Sequence, residues 1–236
     1  MDTPLVNILE RNQHLFHPVV PFDPASDRLL AMDFSEANTG LPAELFDDVG
    51  RFTDWVQQQQ QAYKALYGIG GYAEERAVYS RSRVFDAAQG GEPRRLHLGV
   101  DIWGPAGTPV YAPLGGMVHS FAMNNRPGDY GATINLLHQL DGYAFYTLYG
   151  HVSEKDLALV EGKYINRGEQ FAHLGRPTEN GGWPPHLHFQ IIIDLQEHNG
   201  DYPGVCSKSE KEIYLSNCPD PDLILQMRSY AINSFS

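Results

Sequence analysis

The sequence predicts a mainly β fold: an antiparallel β-sheet domain preceded by an irregular arm and one amphipathic helix. Two observations carry this expectation. Beyond Val84 the chain breaks into short apolar or alternating runs divided by Gly, Pro, Asn and Asp, the texture of strands joined by turns. Before it, one stretch carries apolar residues at three-to-four spacing, the period of a helix with one buried face. At 236 residues the chain can hold one substantial domain with an extension, so a core can form without staples.

The first forty residues mix apolar and turn-forming types, and Pro18, Pro21 and Pro24 interrupt any regular element, so an arm lying over a larger body is expected there. From Pro42 to about Tyr67 the recurrence of Phe46, Val49, Phe52, Val56, Tyr63 and Leu66 predicts a helix, with Pro42 suited to its first turn. Gly68-Ile69-Gly70-Gly71 is expected to stop it. The glutamines at 57–61 lie inside this pattern and read as the wet face. Strands are expected at 108–112, 116–122, 132–138, 143–149, 170–174 and 186–193, bounded by turn chemistry such as Asp141-Gly142 and Asn180-Gly181-Gly182. The tail from Asp220 suits a closing helix. The organisation is thus an arm and helix over 1–84, a β domain over 85–200 and an extension packed on it over 201–236.

Composition narrows the function. Seventeen Lys plus Arg stand against 29 Asp plus Glu, a formal charge of −12, and such a field repels nucleic acid and other polyanions. No run approaches the roughly 18 apolar residues of a membrane-spanning helix. The opening residues carry no basic segment followed by an apolar one, so a cytoplasmic protein is expected. Cys206 and Cys218 are too few for a disulfide framework and are expected as free thiols.

Two tight groups of polar residues stand out. In His97-Leu98-Gly99-Val100-Asp101 a histidine and a carboxylate are four apart, and in His186-Leu187-His188 two histidines are two apart. Even spacing on a strand points side chains to one face, so each group can converge on one ion; Gly99 and Gly104-Pro105 argue against a helix here. A catalytic zinc takes three protein ligands and keeps a fourth position for water. Two histidines and one aspartate match that recipe. With His151, in Tyr149-Gly150-His151, five candidates exist and three need bind. Taken singly, each pair also has a plain structural reading as strand residues. His119, His138 and His173 lie in expected strands and read as packed or surface residues, and Asp129 and Glu179 read as loop carboxylates that are not selected for the site.

The run from His97 to Gln190 resembles the lysostaphin-type (LytM-like) zinc metallopeptidases. Their His-x-x-x-Asp and His-x-His signatures read here as His97 to Asp101 and His186 to His188. Between them, Gly107-Thr108-Pro109-Val110, Tyr130-Gly131 and Thr147-Leu148-Tyr149-Gly150-His151 also look like family segments. The resemblance implies that His97, Asp101 and His188 bind one zinc ion, while His151 and His186 flank the reacting water without binding the ion. It makes 85–200 a catalytic domain hydrolysing a peptide or amide bond. Trp183 and the second proline of Pro184-Pro185 depart from the family's usual small residues, so the groove rim differs. The segment around Cys218-Pro219-Asp220-Pro221 looks like the version of this domain found in intracellular proteins beside kinase-like and aminotransferase domains. Two alternatives follow: a non-catalytic binding or regulatory module on the same fold, and a zinc hydrolase of a small intracellular amide.

Overall fold

Strand residues alternate between two buried environments, and that alternation places everything else. The computed structural model describes residues 3–35, 37–42, 44–76, 79 and 91–233. Nine strands form one sheet, in the order β13-β1-β2-β4-β11-β8-β7-β6-β9. These are β1 (Leu29–Met32), β2 (Tyr67–Gly70), β4 (Val100–Trp103), β6 (Gly116–Asn124), β7 (Gly131–Leu140), β8 (Tyr143–Val152), β9 (Tyr164–Ile165), β11 (His186–Ile192) and β13 (Ala231–Asn233). The pairs β13–β1 and β1–β2 are parallel. From β2 to β9 every pairing is antiparallel. Two short ribbons flank the sheet: β5 (Pro109–Tyr111) with β10 (Gln170–His173), and β3 (Leu96–His97) with β12 (Val205–Cys206).

Val100, Ile102, Leu187, Phe189, Ile191, Tyr149 and Ile134 lie in one core that also takes in the arm. The arm contributes α1 (Pro4–Arg11), in which the Thr3 hydroxyl accepts from the Val6 N–H and Pro4 fits the first turn. The alternate residues of the same strands, Asp101, Trp103, His186, His188 and Gln190, face the other way. On that side one cluster gathers Leu30, Met32, Phe34 and Trp103 under Phe52 and Val56 of α2 (Val49–Tyr63). A second gathers Leu98, Tyr130, Leu148 and Tyr202. Chain-terminal to these are α3 (Lys211–Asn217) and α4 (Asp222–Leu225).

The mainly β expectation holds, with three differences. The helix is shorter than expected: a 3-10 turn at Leu45–Asp47 precedes α2, which Asp48 caps by accepting from the Arg51 N–H at 2.8 Å, and Lys64 in the left-handed region ends it. The glycines after it do more than stop a helix; they form β2. Gly68 and Gly70 face Met32 and Trp103 so closely that a Cβ at Gly68 would lie 2.7 Å from Met32 Cγ. Third, the arm supplies β1, and the tail closes with one turn, α4, before β13 joins the sheet edge. The boundary expected at Val84 lies outside the described residues; strands before it and after residue 200 share the sheet with those between. The two cysteines are buried free thiols. Among the described residues no helix is long and apolar enough to cross a membrane.

Candidate active site

His188 and Asp101 are cross-strand partners on β11 and β4, and His186 opposes Trp103 on the same strands. Strand period two therefore delivers His186, His188, Asp101 and Trp103 to one face, as the His-x-His spacing predicts. His97 arrives differently. The expected single strand from His97 to Asp101 is broken at Leu98-Gly99: His97 ends β3, which pairs with β12, and Asp101 belongs to β4 in the large sheet. The kink needs Gly99, because a Cβ there would lie 2.5 Å from His188 Cε1.

His151 also departs from simple alternation. It sits at the end of β8 where pairing with β7 slips between Ala132 and Ile134, and its φ of 62° is left-handed. A bulge and a left-handed residue re-aim the side chain. The ring lies 4.2 Å, centroid to centroid, from that of His186. Trp103 stacks on the other side of His186 at 4.1 Å.

His97 Nε2, His188 Nδ1 and Asp101 Oδ1 form a triangle with edges of 2.9, 3.2 and 3.2 Å. A tetrahedral zinc with bonds of about 2.0–2.1 Å has vertices about 3.3 Å apart, so these atoms match one face of such a site. The other ring nitrogens point to carbonyls. His97 Nδ1–H donates to Gly71 O at 2.9 Å, and His188 Nε2–H donates to Gln190 Oε1 at 2.9 Å. Those bonds leave a lone pair on each nitrogen of the triangle, facing the other and a carboxylate oxygen. Such an arrangement repels itself unless a cation sits within it. Asp101 Oδ1 is buried and has no hydrogen-bond partner among the described residues. The residues present thus fit a divalent ion, and among the described residues this is the one group of three or more metal-capable side chains so close.

Electrostatics agree with that donor set. Burial pushes the His97 and His186 imidazoles down to about 4 and His151 well below its ordinary range, keeping the neutral, metal-competent form. Burial opposes ionisation of Asp101, yet the neighbouring His97 and Arg76 hold its carboxyl well below the usual range. Arg76 Nη1 bonds Asp101 Oδ2, while Arg76 Nε donates to Glu74 Oε2 at 2.5 Å. Asp101 is thereby presented to the cavity through one oxygen.

His151 and His186 each have one nitrogen anchored: His151 Nδ1–H donates to Asn180 O at 2.9 Å and His186 Nδ1–H to Pro184 O at 2.8 Å. Among the described residues neither Nε2 atom makes a hydrogen bond; that of His186 is 3.9 Å from Asp101 Oδ2. These side chains line a cavity of about 280 Å³ whose walls also include Arg76, Trp103, Tyr130 and Trp183. Phe34 and Phe52, from the segment before the β domain, line it as well.

All five residues singled out in the sequence are brought together. Arg76, Trp103, Tyr130 and Gln190 were not singled out. Tyr130 Oη lies 3.4 Å from His188 Nε2, and only its place in the Tyr130-Gly131 segment hinted at a role. Asp129 lines the cavity. Glu179 instead ties a loop, accepting from Ser153 Oγ and the backbone of Glu154 and Arg176. His138 is buried away from the cavity, and His173 pairs with Asp156 on β10.

Residues 95–200 match the family model described as Peptidase family M23. The chain is 33% identical over 139 residues, 58% of its own length, to a DD-carboxypeptidase/endopeptidase Mpg of Neisseria meningitidis, of which it spans 30%. It is 25% identical over 207 residues, 81% of its length, to the peptidoglycan DD-endopeptidase ShyA of Vibrio cholerae, of which it spans 45%. Among solved structures, the lysostaphin catalytic domain of Staphylococcus simulans aligns with 69% of this chain and 96% of that one, at 20% identity and a TM-score of 0.38. The chain spans less than half the length of these two peptidase relatives. Both signature segments lie inside residues 95–200, the region of this chain that matches peptidase family M23.

Proposed function

We propose that the chain is a zinc-dependent peptidase in which His97 Nε2, Asp101 Oδ1 and His188 Nδ1 hold one ion and His151 and His186 handle protons beside it. The observation that carries this is the triangle of three unprotonated donor atoms at tetrahedral spacing. Zinc bound there would acidify a water and polarise the scissile carbonyl. The two free Nε2 atoms, fixed by backbone carbonyls on their other sides, are placed to take a proton from that water and return one to the leaving nitrogen. When protonated, the same rings stabilise negative charge developing on the carbonyl oxygen. Trp103 and Trp183 flank the two rings and keep bulk water from them.

The proposed substrate is a peptide-like amide, short rather than polymeric. Phe34 and Phe52 line the cavity, so the arm and α2 close one end of the groove. One relative is named a peptidoglycan DD-endopeptidase and another a DD-carboxypeptidase/endopeptidase, which makes a peptide fragment of peptidoglycan one member of the class. Metal content and turnover test the reading together. Purified chain should carry one zinc, His97→Ala should carry none, and His151→Ala should keep zinc while losing hydrolysis by about 10²- to 10⁴-fold. Equal loss of zinc in both variants would refute the division of roles. Fragmented peptidoglycan and short peptides, compared in one assay, test the length limit; faster cleavage of the intact polymer would overturn it.

A further inference from the structure

We infer that the cavity contains an anion subsite, formed by Arg76 Nη2 and Trp103 Nε1, that takes the free carboxylate of the residue just beyond the scissile amide. The position of that amide rests on the zinc-peptidase reading above. Four buried side-chain polar atoms lack a hydrogen-bond partner among the described residues: Arg76 Nη2, Asp101 Oδ1, Trp103 Nε1 and Asn135 Oδ1. Asp101 Oδ1 faces the metal position. Arg76 and Trp103 are both residues that line the same cavity.

Both donors approach the β2 backbone at Gly70, which has no side chain to keep them apart. A Cβ on Gly70 would lie 2.8 Å from Arg76 Nη2 and 3.4 Å from Trp103 Nε1. The rest of the guanidinium is fixed by Glu74, Asp101 and the Phe34 ring, 5.9 Å from its centre, so Nη2 cannot swing away to find a partner. Trp103 is held by its stack on His186 and its packing against Phe34. Burying an unpaired donor is unfavourable, and more so for a charged one, which an incoming acceptor relieves.

Charge selects the acceptor. Arg76, Arg94 and Arg126 all line the cavity of a chain whose formal charge is −12. Asp101, Asp129 and Asp201 line it too, and Glu74 pairs with Arg76. Once a divalent cation is bound, the cations exceed these carboxylates by one charge, which favours a single anionic group. Two donors converging from different side chains suit the two oxygens of a carboxylate. Arg76 reaches Asp101 Oδ2 while the other oxygen of that carboxylate faces the metal, so the subsite is about one residue's reach, roughly 3.3–3.6 Å per residue, beyond the ion's shell.

The test compares acetyl-Ala-Ala with its C-terminal carboxamide, in both chiral forms, on the zinc-loaded full chain. The acid should be preferred in kcat/KM by about 10- to 100-fold. Trp103→Phe, which keeps the ring and removes the N–H, and Arg76→Gln should bring that ratio towards one, with zinc content followed in each. A wild-type ratio at or below one overturns the subsite. So does a ratio unchanged in both variants, whatever the overall loss of rate. If neither probe is hydrolysed, the peptidase reading fails by itself, and calorimetric binding of the same pair still decides: an acid preference lost in both variants supports the subsite, and equal binding overturns it.

Discussion

Five buried histidines sit in this sheet and its flanking ribbon, and they divide by what their second ring nitrogen does. His138 has both nitrogens occupied, Nδ1 by Gly115 O at 3.1 Å and Nε2 by Thr147 Oγ1 at 2.7 Å, with Phe145 stacked on the ring. His97, His151 and His186 each spend one nitrogen on a backbone carbonyl, and His188 spends one on the Gln190 amide. The other nitrogens of His97 and His188 face each other and Asp101 Oδ1, and His151 and His186 line the cavity beside them. Burial alone therefore does not mark a functional histidine here, since both groups are desolvated. An anchored ring with one uncommitted nitrogen does.

Replacing one member of each group with a residue that cannot titrate gives the largest expected contrast. His186→Ala removes a free Nε2 and the partner of the Trp103 stack while leaving the donor triangle intact. Turnover should fall by about 10²- to 10⁴-fold with zinc retained. His138→Gln should leave zinc content and turnover per folded molecule near wild type. Steady-state kinetics with metal analysis on both proteins checks this, and a His186 variant as active as the His138 variant would erase the distinction.

That contrast was partly legible in the sequence. His186-x-His188 could be read because strand period two holds along all seven buried residues of β11. The convergence of His97 with Asp101 was anticipated for an incomplete reason: His97 lies on a flanking ribbon and Asp101 in the large sheet, joined through Leu98-Gly99, and spacing alone does not report a kink. Nothing local announced Arg76. Within Glu74-Glu75-Arg76 it reads as part of a solvated charge run, and only the sheet's closure against Phe34 and Asp101 buries it to 2% exposure. β1 and β2 were hidden for a related reason. They are four residues each, and β2 carries glycines on its site-facing side because Met32, Trp103 and Arg76 fill that space.

The second contrast is in stability against pH. Burial lowers His138 to about 4, whereas an unfolded histidine titrates near 6.5. Between those values the unfolded chain binds a proton that the folded chain does not. The contribution of His138 is therefore fully present above about pH 6.5 and is lost as pH falls towards 4, by about 3 kcal/mol. His138→Gln can keep polar contacts without titrating, so its urea-unfolding free energy should fall less steeply over that window. Carboxylates that lose stability in acid do so equally in both proteins. Parallel pH profiles would mean that His138 is already protonated, or exposed, in the folded chain.

The smallest expected effect probes how the uncommitted nitrogen is kept so. Gln190 Oε1 accepts from His188 Nε2–H, and the Gln190 amide is itself oriented by donating to Pro203 O at 3.2 Å and to Cys218 Sγ at 3.3 Å. Removing the acceptor frees the His188 proton to move to Nδ1, where it would occupy the lone pair aimed at the ion. Gln190→Ala should weaken zinc binding by about 10- to 100-fold, read by competition with a chelator. Gln190→Glu retains an acceptor for the Nε2–H and should recover most of that affinity, even though it gives up the donations to Pro203 and Cys218. If Glu binds zinc as weakly as Ala, the Gln190 side chain acts through packing around Cys218 and not through the His188 tautomer.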